Sequence, residues 1–275
     1  MTLRLLLIRH GLSSFNCENR IQGRNDLSKL TEEGLSQAKK TGKALKEVHL
    51  KAIYSSPLQR AAETAKELLK ERTESFNIGF KSDLMEVELG PWTGLTIQEV
   101  QNQYPQDYLI WKKDPNKLTL EKEDGSTFRP INDLFNQAER FLNELLEIHN
   151  PNEDSNVVIV GHNAILRCLI MQLLNKPQQG LRRIQLGNAS ISILNLSPNK
   201  RKKYNVQIES LNSTVHLKTK LPSKGKNARI ILVRHGETNW NREGRFQGQI
   251  DIPLNKNGKA QAMAAGNFLK DVYIN

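Results

Sequence analysis

Two kinds of hydrophobic pattern organise the chain. Leu3–Ile8 and Val157–Val160 are apolar runs of strand length, as expected for strands buried on both faces of a sheet. Ala52–Ser55 predicts a short strand, and Ser190–Leu196 and Tyr204–Leu211 predict two more. Between them, apolar positions recur with helical spacing. Thr31, followed by Glu32 and Glu33, opens a helix running to about Val48, its acidic first turn suiting the helix dipole. Ser56-Pro57 reads as an N-cap with proline at the first helical position, starting a helix to about Glu71. Thr96-Ile-Gln-Glu99 has capping-box form, Ile131–His149 is a long amphipathic candidate, and Ala164–Leu174 continues as a helix from Gly161-His162-Asn163.

Strands alternating with helices predict an α/β fold: a three-layer α/β/α sandwich with a mostly parallel central sheet. In such sheets ligands bind beyond the carboxyl ends of the strands, where helix N-termini also point. His10, Arg60 and His162 all lie just after expected strand ends, so they should converge there.

The opening pattern returns late in the chain. Arg4-Leu-Leu-Leu-Ile-Arg-His-Gly11 recurs as Arg229-Ile-Ile-Leu-Val-Arg-His-Gly236, and the same offset of 225 pairs Asn16 with Asn241, Gln22 with Gln247 and Asp26 with Asp251. After a one-residue deletion, Gly34, Gln37 and Ala38 match Gly258, Gln261 and Ala262. The expectation is a tandem repeat: a complete domain at 1–215, a basic linker at 216–227, and a fragment of a second domain at 228–275. That fragment would supply only an opening strand, loop and helix, loosely ordered or docked on the first domain.

Charge follows the same division. The 275 residues carry a formal net charge of +11, but residues 197–229 alone hold nine basic side chains against Glu209. A local excess of this kind, without interleaved aromatics, reads as a solvated connector and disfavours nucleic acid as a partner. The sequence offers neither a signal-peptide core nor a run of ~18 apolar residues, which argues against membrane partners. Two cysteines, Cys17 and Cys168, cannot build a disulfide framework, which favours a cytoplasmic setting. The six histidines have no i,i+4 pairing, so neither metal nor cofactor is expected. Whether the chain forms a homo-oligomer stays open.

Singly, the candidate residues have bland readings: a strand-end turn at Arg9-His10-Gly11, a structural His162, a solvated Arg60, a surface Glu86 beside Glu88. Trp92, Tyr108 and Trp111 suit a substrate mouth or core or lid packing, and His49, His149 and His216 read as ordinary surface or helix-end residues. Together with Asn16, Arg20-Ile-Gln-Gly23, Ser55-Ser-Pro-Leu-Gln-Arg60, Thr64-Ala65, Glu86 four before Gly90, and Gly161-His162, the set resembles the histidine phosphatase superfamily, with its phosphoglycerate-mutase-like fold. The resemblance covers residues 3–196 and restarts at 229. It implies His10 as the phosphorylated nucleophile and Glu86 as proton donor, with Arg9, Asn16, Arg60 and His162 holding the phosphoryl group. Leu12-Ser13 departs from the family's usual Glu-Thr, which the second copy keeps at Glu237-Thr238.

These residue types suit phosphoryl transfer, which places charge on three equatorial oxygens and needs fixed donors around them. The resulting expectation is a metal-independent phosphomonoester hydrolase acting on a small phosphorylated metabolite. A phosphoglycerate mutase is the alternative within the same family, and a non-catalytic phospho-ligand-binding or interaction module is the alternative from another class.

Overall fold

The computed structural model describes residues 2–122, 124–176, 178–199, 204–219, 221 and 228–272. They fall into two compact units, Met1–Lys218 and Thr219–Asn275. The first contains a six-stranded sheet built from β1 (Leu3–Arg9), β2 (Ala52–Ser55), β3 (Ile78–Phe80), β4 (Ser155–Gly161), β5 (Ile191–Pro198) and β6 (Tyr204–Ser213). Their order is β3-β2-β4-β1-β5-β6. Only β5 runs against the others, pairing antiparallel with both β1 and β6. The fold is therefore the expected mostly parallel α/β arrangement.

Helices α1 (Glu32–Ala44), α2 (Gln59–Leu69), α3 (Ile97–Gln103), α4 (Pro105–Lys113), α5 (Pro130–Ile148) and α6 (Asn163–Leu173) complete this unit. Leu5 and Leu7 point into one core with Phe141, Leu142 and Leu169, while Leu6 and Ile8 point into another with Ala61, Ala65 and Leu68. A central strand that alternates between two cores cannot alternate in polarity, which is why it reads as an apolar run.

Several boundaries differ from expectation. Thr31 caps α1 by accepting from Gly34, and Thr96 with Glu99 forms the capping box of α3, both as expected. Helix α2 instead begins at Gln59 behind Leu58, so neither Ser56 nor Pro57 takes the foreseen capping position. The Ser56 hydroxyl accepts from Leu58 N–H and pairs with His162, and that use displaces the helix start. The first unit also runs past residue 215. Leu217 is buried, and His216 Nε2 lies 3.1 Å from the Ala189 carbonyl and 3.0 Å from Thr41 Oγ1. His149 stands at a helix end, as expected, directly after Ile148, but it is buried there and bonded to the Tyr54 hydroxyl at 2.9 Å. Of the basic stretch, residues 200–203, 220 and 222–227 lie outside the described residues.

In the second unit a one-turn helix at Asn239–Arg242 and a longer helix, α7 (Lys256–Leu269), are present. The expected opening strand is absent from the described residues: 229–234 form no strand ladder. The loop that follows nonetheless repeats several bonds of the first unit's loop. His235 Nδ1 sits 2.7 Å from Gly236 O, as His10 Nδ1 does from Gly11 O. Thr238 bonds Asn241 as Ser13 bonds Asn16, and Gln247 reaches Thr238 as Ser13 reaches Gln22.

Candidate active site

The three central strands β2, β4 and β1 are parallel neighbours, so their carboxyl ends open on one edge. His10 follows β1, Ser56 and Arg60 follow β2, and His162 follows β4. A cavity of about 200 Å³ forms there, lined by Arg9, His10, Asn16, Arg60 and Glu86, with Arg167, Arg182 and Trp111 further along its wall. Of the six residues singled out in the sequence, five line it. His162 is fully buried and packs against His10, their ring centroids 5.1 Å apart.

The loop carrying His10 is held rigidly. Gly11 lies against the backbone of Gly34 at the start of α1, so closely that a Cβ on either residue would collide with main-chain atoms. His10 Nδ1 faces the Gly11 carbonyl, an acceptor only, so this nitrogen carries the ring proton and Nε2 keeps its lone pair. Burial, reinforced by Arg9 and Arg60, pushes the His10 pKa well below the usual imidazole value. The ring is thus a neutral base with a defined tautomer. Asn16 accepts from Ser13 Oγ at 2.9 Å and from Asn188 Nδ2 at 3.0 Å, while Asn188 also donates to the carbonyls of His10 and Gly11.

Both arginines are buried rather than solvated. Arg60, fully enclosed, donates to the carbonyls of Gly23 at 2.9 Å and Asn25 at 3.0 Å. Gly23 makes that turn possible: its φ is +47°, and a Cβ there would lie 2.6 Å from Thr93 Oγ1. Arg9 donates to the Leu186 carbonyl at 2.8 Å, and burial lowers its pKa to about 10, still far above neutrality. Burial also lowers His162, with Arg60 and His10 adding to the effect. Its Nε2 is 2.8 Å from Ser56 Oγ.

Glu86 and Glu88 separate cleanly. Among the described residues Glu86 is the only carboxylate lining the cavity, and it accepts from the N–H groups of Ala164 and Ile165 at the start of α6 and from Val87. Glu88 turns away to accept from Leu89 and Gly90, and lies 3.9 Å from Arg24. Behind Glu86, Arg24 Nε donates to its carbonyl and Arg24 Nη2 to Gln137, whose amide donates to the carbonyls of Asp83 and Met85.

Several buried polar atoms without partners lie here: the nitrogens Arg9 Nε, Arg60 Nε, His162 Nδ1 and Arg167 Nε, and one oxygen, Asn163 Oδ1. An unpartnered buried polar group costs about 1–3 kcal/mol, so a cluster of them is expected only where a ligand completes the set. Trp92, a candidate for the mouth, is instead fully buried and packs against Tyr108 and Trp111; only Trp111 of the three reaches the cavity. Groups of three or more side chains able to hold a metal ion are absent among the described residues. Nor is any described helix long and apolar enough to cross a membrane.

A family model described as the histidine phosphatase superfamily (branch 1) matches residues 5–208 and 230–275. The chain belongs to that superfamily. A 2-carboxy-D-arabinitol-1-phosphatase from Triticum aestivum is 30% identical over 276 residues, 99% of this chain and 54% of the relative. The chain therefore spans about half the length of that phosphatase. Phosphoserine phosphatase 1 of Hydrogenobacter thermophilus is 31% identical over 215 residues, covering 78% of this chain and 94% of its own. The solved structure of a mycobacterial glucosyl-3-phosphoglycerate phosphatase superposes with a TM-score of 0.67 at 25% identity, covering 78% of this chain and all of that one.

Residues missed in the sequence have identifiable reasons. Arg167 left a signal: it is the only charged residue in the apolar helix α6, Asn163-Ala-Ile-Leu-Arg-Cys-Leu-Ile-Met-Gln-Leu173. Arg182 sits in a 3-10 helix, Gln178–Arg183, and Asn188 and the Leu186 carbonyl in the irregular segment after it, all more than 170 residues from His10, and nothing local marks them.

Proposed function

We propose that the first unit is a phosphomonoesterase that hydrolyses a small phosphorylated metabolite through a phosphohistidine on His10. The observation that carries this reading is the ring of unpartnered buried donors around a neutral imidazole of fixed tautomer. The Nε2 lone pair attacks phosphorus as the bond to the ester oxygen breaks, and Glu86 gives its proton to the departing alkoxide. Glu86, now ionised, takes a proton from water. The resulting hydroxide displaces Nε2 from phosphorus, releasing phosphate and restoring both side chains. Arg9 and Arg60 hold the phosphoryl oxygens with permanent charge and planar donors, so the step needs no metal ion. His162 Nδ1 supplies a further donor, and Asn16 fixes the His10 loop. The named activities of the relatives, two phosphatases on sugar-acid and amino-acid phosphates, support hydrolysis over a purely binding role.

The test is acid-quench trapping of phosphohistidine with a ³²P-labelled ester, alongside phosphate release. Wild-type protein should incorporate label and release phosphate, and His10→Ala should do neither. Turnover by His10→Ala at an undiminished rate would overturn the reading. Isomerisation of phosphoglycerate with little phosphate release would assign the mutase activity instead.

A further inference from the structure

Resting on that reading, we infer that Arg167 and Arg182 form a second anion site, so that the preferred substrate is a phosphomonoester carrying another anionic group, a carboxylate or a second phosphate, a short carbon chain away. Five arginines line the cavity against the single carboxylate of Glu86. Arg9 and Arg60 match a phosphoryl dianion. Arg20 is already committed, donating to Glu18 at 2.7 Å and to the Gly94 carbonyl at 2.9 Å. Arg167 and Arg182 are left over.

Their surroundings suit a ligand rather than solvent. Arg167 Nε is buried without a partner; burial lowers the Arg167 pKa, the Glu86 carboxylate opposes that shift and Arg182 adds to it, so two cations share a region whose one nearby counter-charge, Glu86, is already bonded to backbone N–H groups. Like charges so placed are costly unless a ligand neutralises them. Arg182 is pinned rather than free. It donates to the Trp111 carbonyl, and its guanidinium stacks on the Trp111 ring, 5.1 Å from the centroid. Asn163 and Arg167 both line the cavity and lie four residues apart on one face of α6, about 6 Å along its axis. The volume of about 200 Å³ lies below the ~300 Å³ at which drug-sized sites begin. A phosphorylated small acid or a small bisphosphate fits these terms, and a bulky phosphoprotein does not.

The experiment measures kcat/KM on the full chain for phosphoserine, 3-phosphoglycerate, a sugar bisphosphate and glycerol 3-phosphate, whose far end is uncharged. Wild-type protein should favour at least one doubly anionic ester. In Arg167→Met and Arg182→Met the ratio of that ester to glycerol 3-phosphate should fall about 10- to 100-fold, chiefly through KM, the range of a charge-assisted hydrogen bond. The carboxylate and bisphosphate arms identify which anion is read. Glycerol 3-phosphate turnover by each variant corrects for misfolding. Equal losses on charged and uncharged esters, or a wild type without preference, would overturn the inference. Calorimetric binding to His10→Ala separates it from the catalytic reading. An anion preference lost in His10→Ala/Arg167→Met, in a protein without hydrolytic activity, would keep the second site and remove only the hydrolase.

Discussion

Gln137→Leu is the most informative perturbation away from the cavity. Gln137 is 4% exposed on α5, and its amide spans Asp83, Met85 and Arg24. Leucine fills similar space but leaves two carbonyls and a guanidinium arm without that partner. Each loss costs about 1–3 kcal/mol when fully buried. Because Asp83, Met85 and Arg24 are partly exposed, water recovers some of it, and a total of roughly 2–4 kcal/mol follows. The functional effect should exceed the loss of stability. The bonds removed fix the backbone just before Glu86, and a displacement of ~1 Å in a reacting group lowers rates by about 100-fold. Kinetics at a temperature where the variant stays folded should therefore give a kcat reduced about 10- to 100-fold with KM changed only a few-fold. Urea denaturation followed by circular dichroism supplies the stability term. Gln137→Glu should be worse than leucine, since it turns an acceptor toward two carbonyls. A folded Gln137→Leu protein with kcat within threefold of wild type would refute the idea that this brace aims Glu86.

Other predictions concern single groups. Glu86→Gln should lower kcat by about 10²–10⁴-fold, whereas Glu88→Gln should change it only a few-fold; matching effects in a phosphate-release assay would reverse the assignment. His10 and His162 both have depressed pKa values, so the unfolded chain binds more protons below pH 6.5 and stability falls on acidification, by up to about 1.4 kcal/mol per pH unit for each. Above pH 6.5 both states are neutral and the dependence vanishes. Urea midpoints at pH 7.5 and 5.5 should differ less in His10→Phe/His162→Phe than in wild type, with His149 and His216 supplying the residue. His235→Ala should leave turnover unchanged, because His235 is exposed whereas His10 is buried beside Arg9, Arg60 and His162; a large loss in the same assay would contradict this.

Much of the scaffold was legible because its determinants are local. Apolar runs marked β1 and β4, capping residues marked α1 and α3, and strand–helix alternation marked the parallel sheet and the edge where His10, Arg60 and His162 meet. What escaped was decided by long-range competition. Ser56 looks like a helix cap in its own segment, and only the fold brings His162 close enough to claim its hydroxyl. The sequence places Glu86 ahead of Glu88, but the bonds of Glu86 to the N-terminus of α6 are not visible there. Arg182 and Asn188 gain their roles from segments that meet the His10 loop only after the sheet has closed. The linker boundary moved for the same reason, since Leu217 is buried by residues far from it in sequence.

The matching loops of the two units carry a consequence for folding order. Bonds shared by the loops around His10 and His235 span one to nine residues within the loop, and 25 or 24 where the N–H groups of Leu12 and Glu237 donate to Gln37 and Gln261. Contacts of that kind close quickly, whereas the tether of Arg9 to Leu186 closes a loop of 177 residues and must come late. The loop that presents the imidazole is therefore expected to reach native shape early and on its own. Reactivity then arrives as a late folding event, when distant segments enclose a loop already in place.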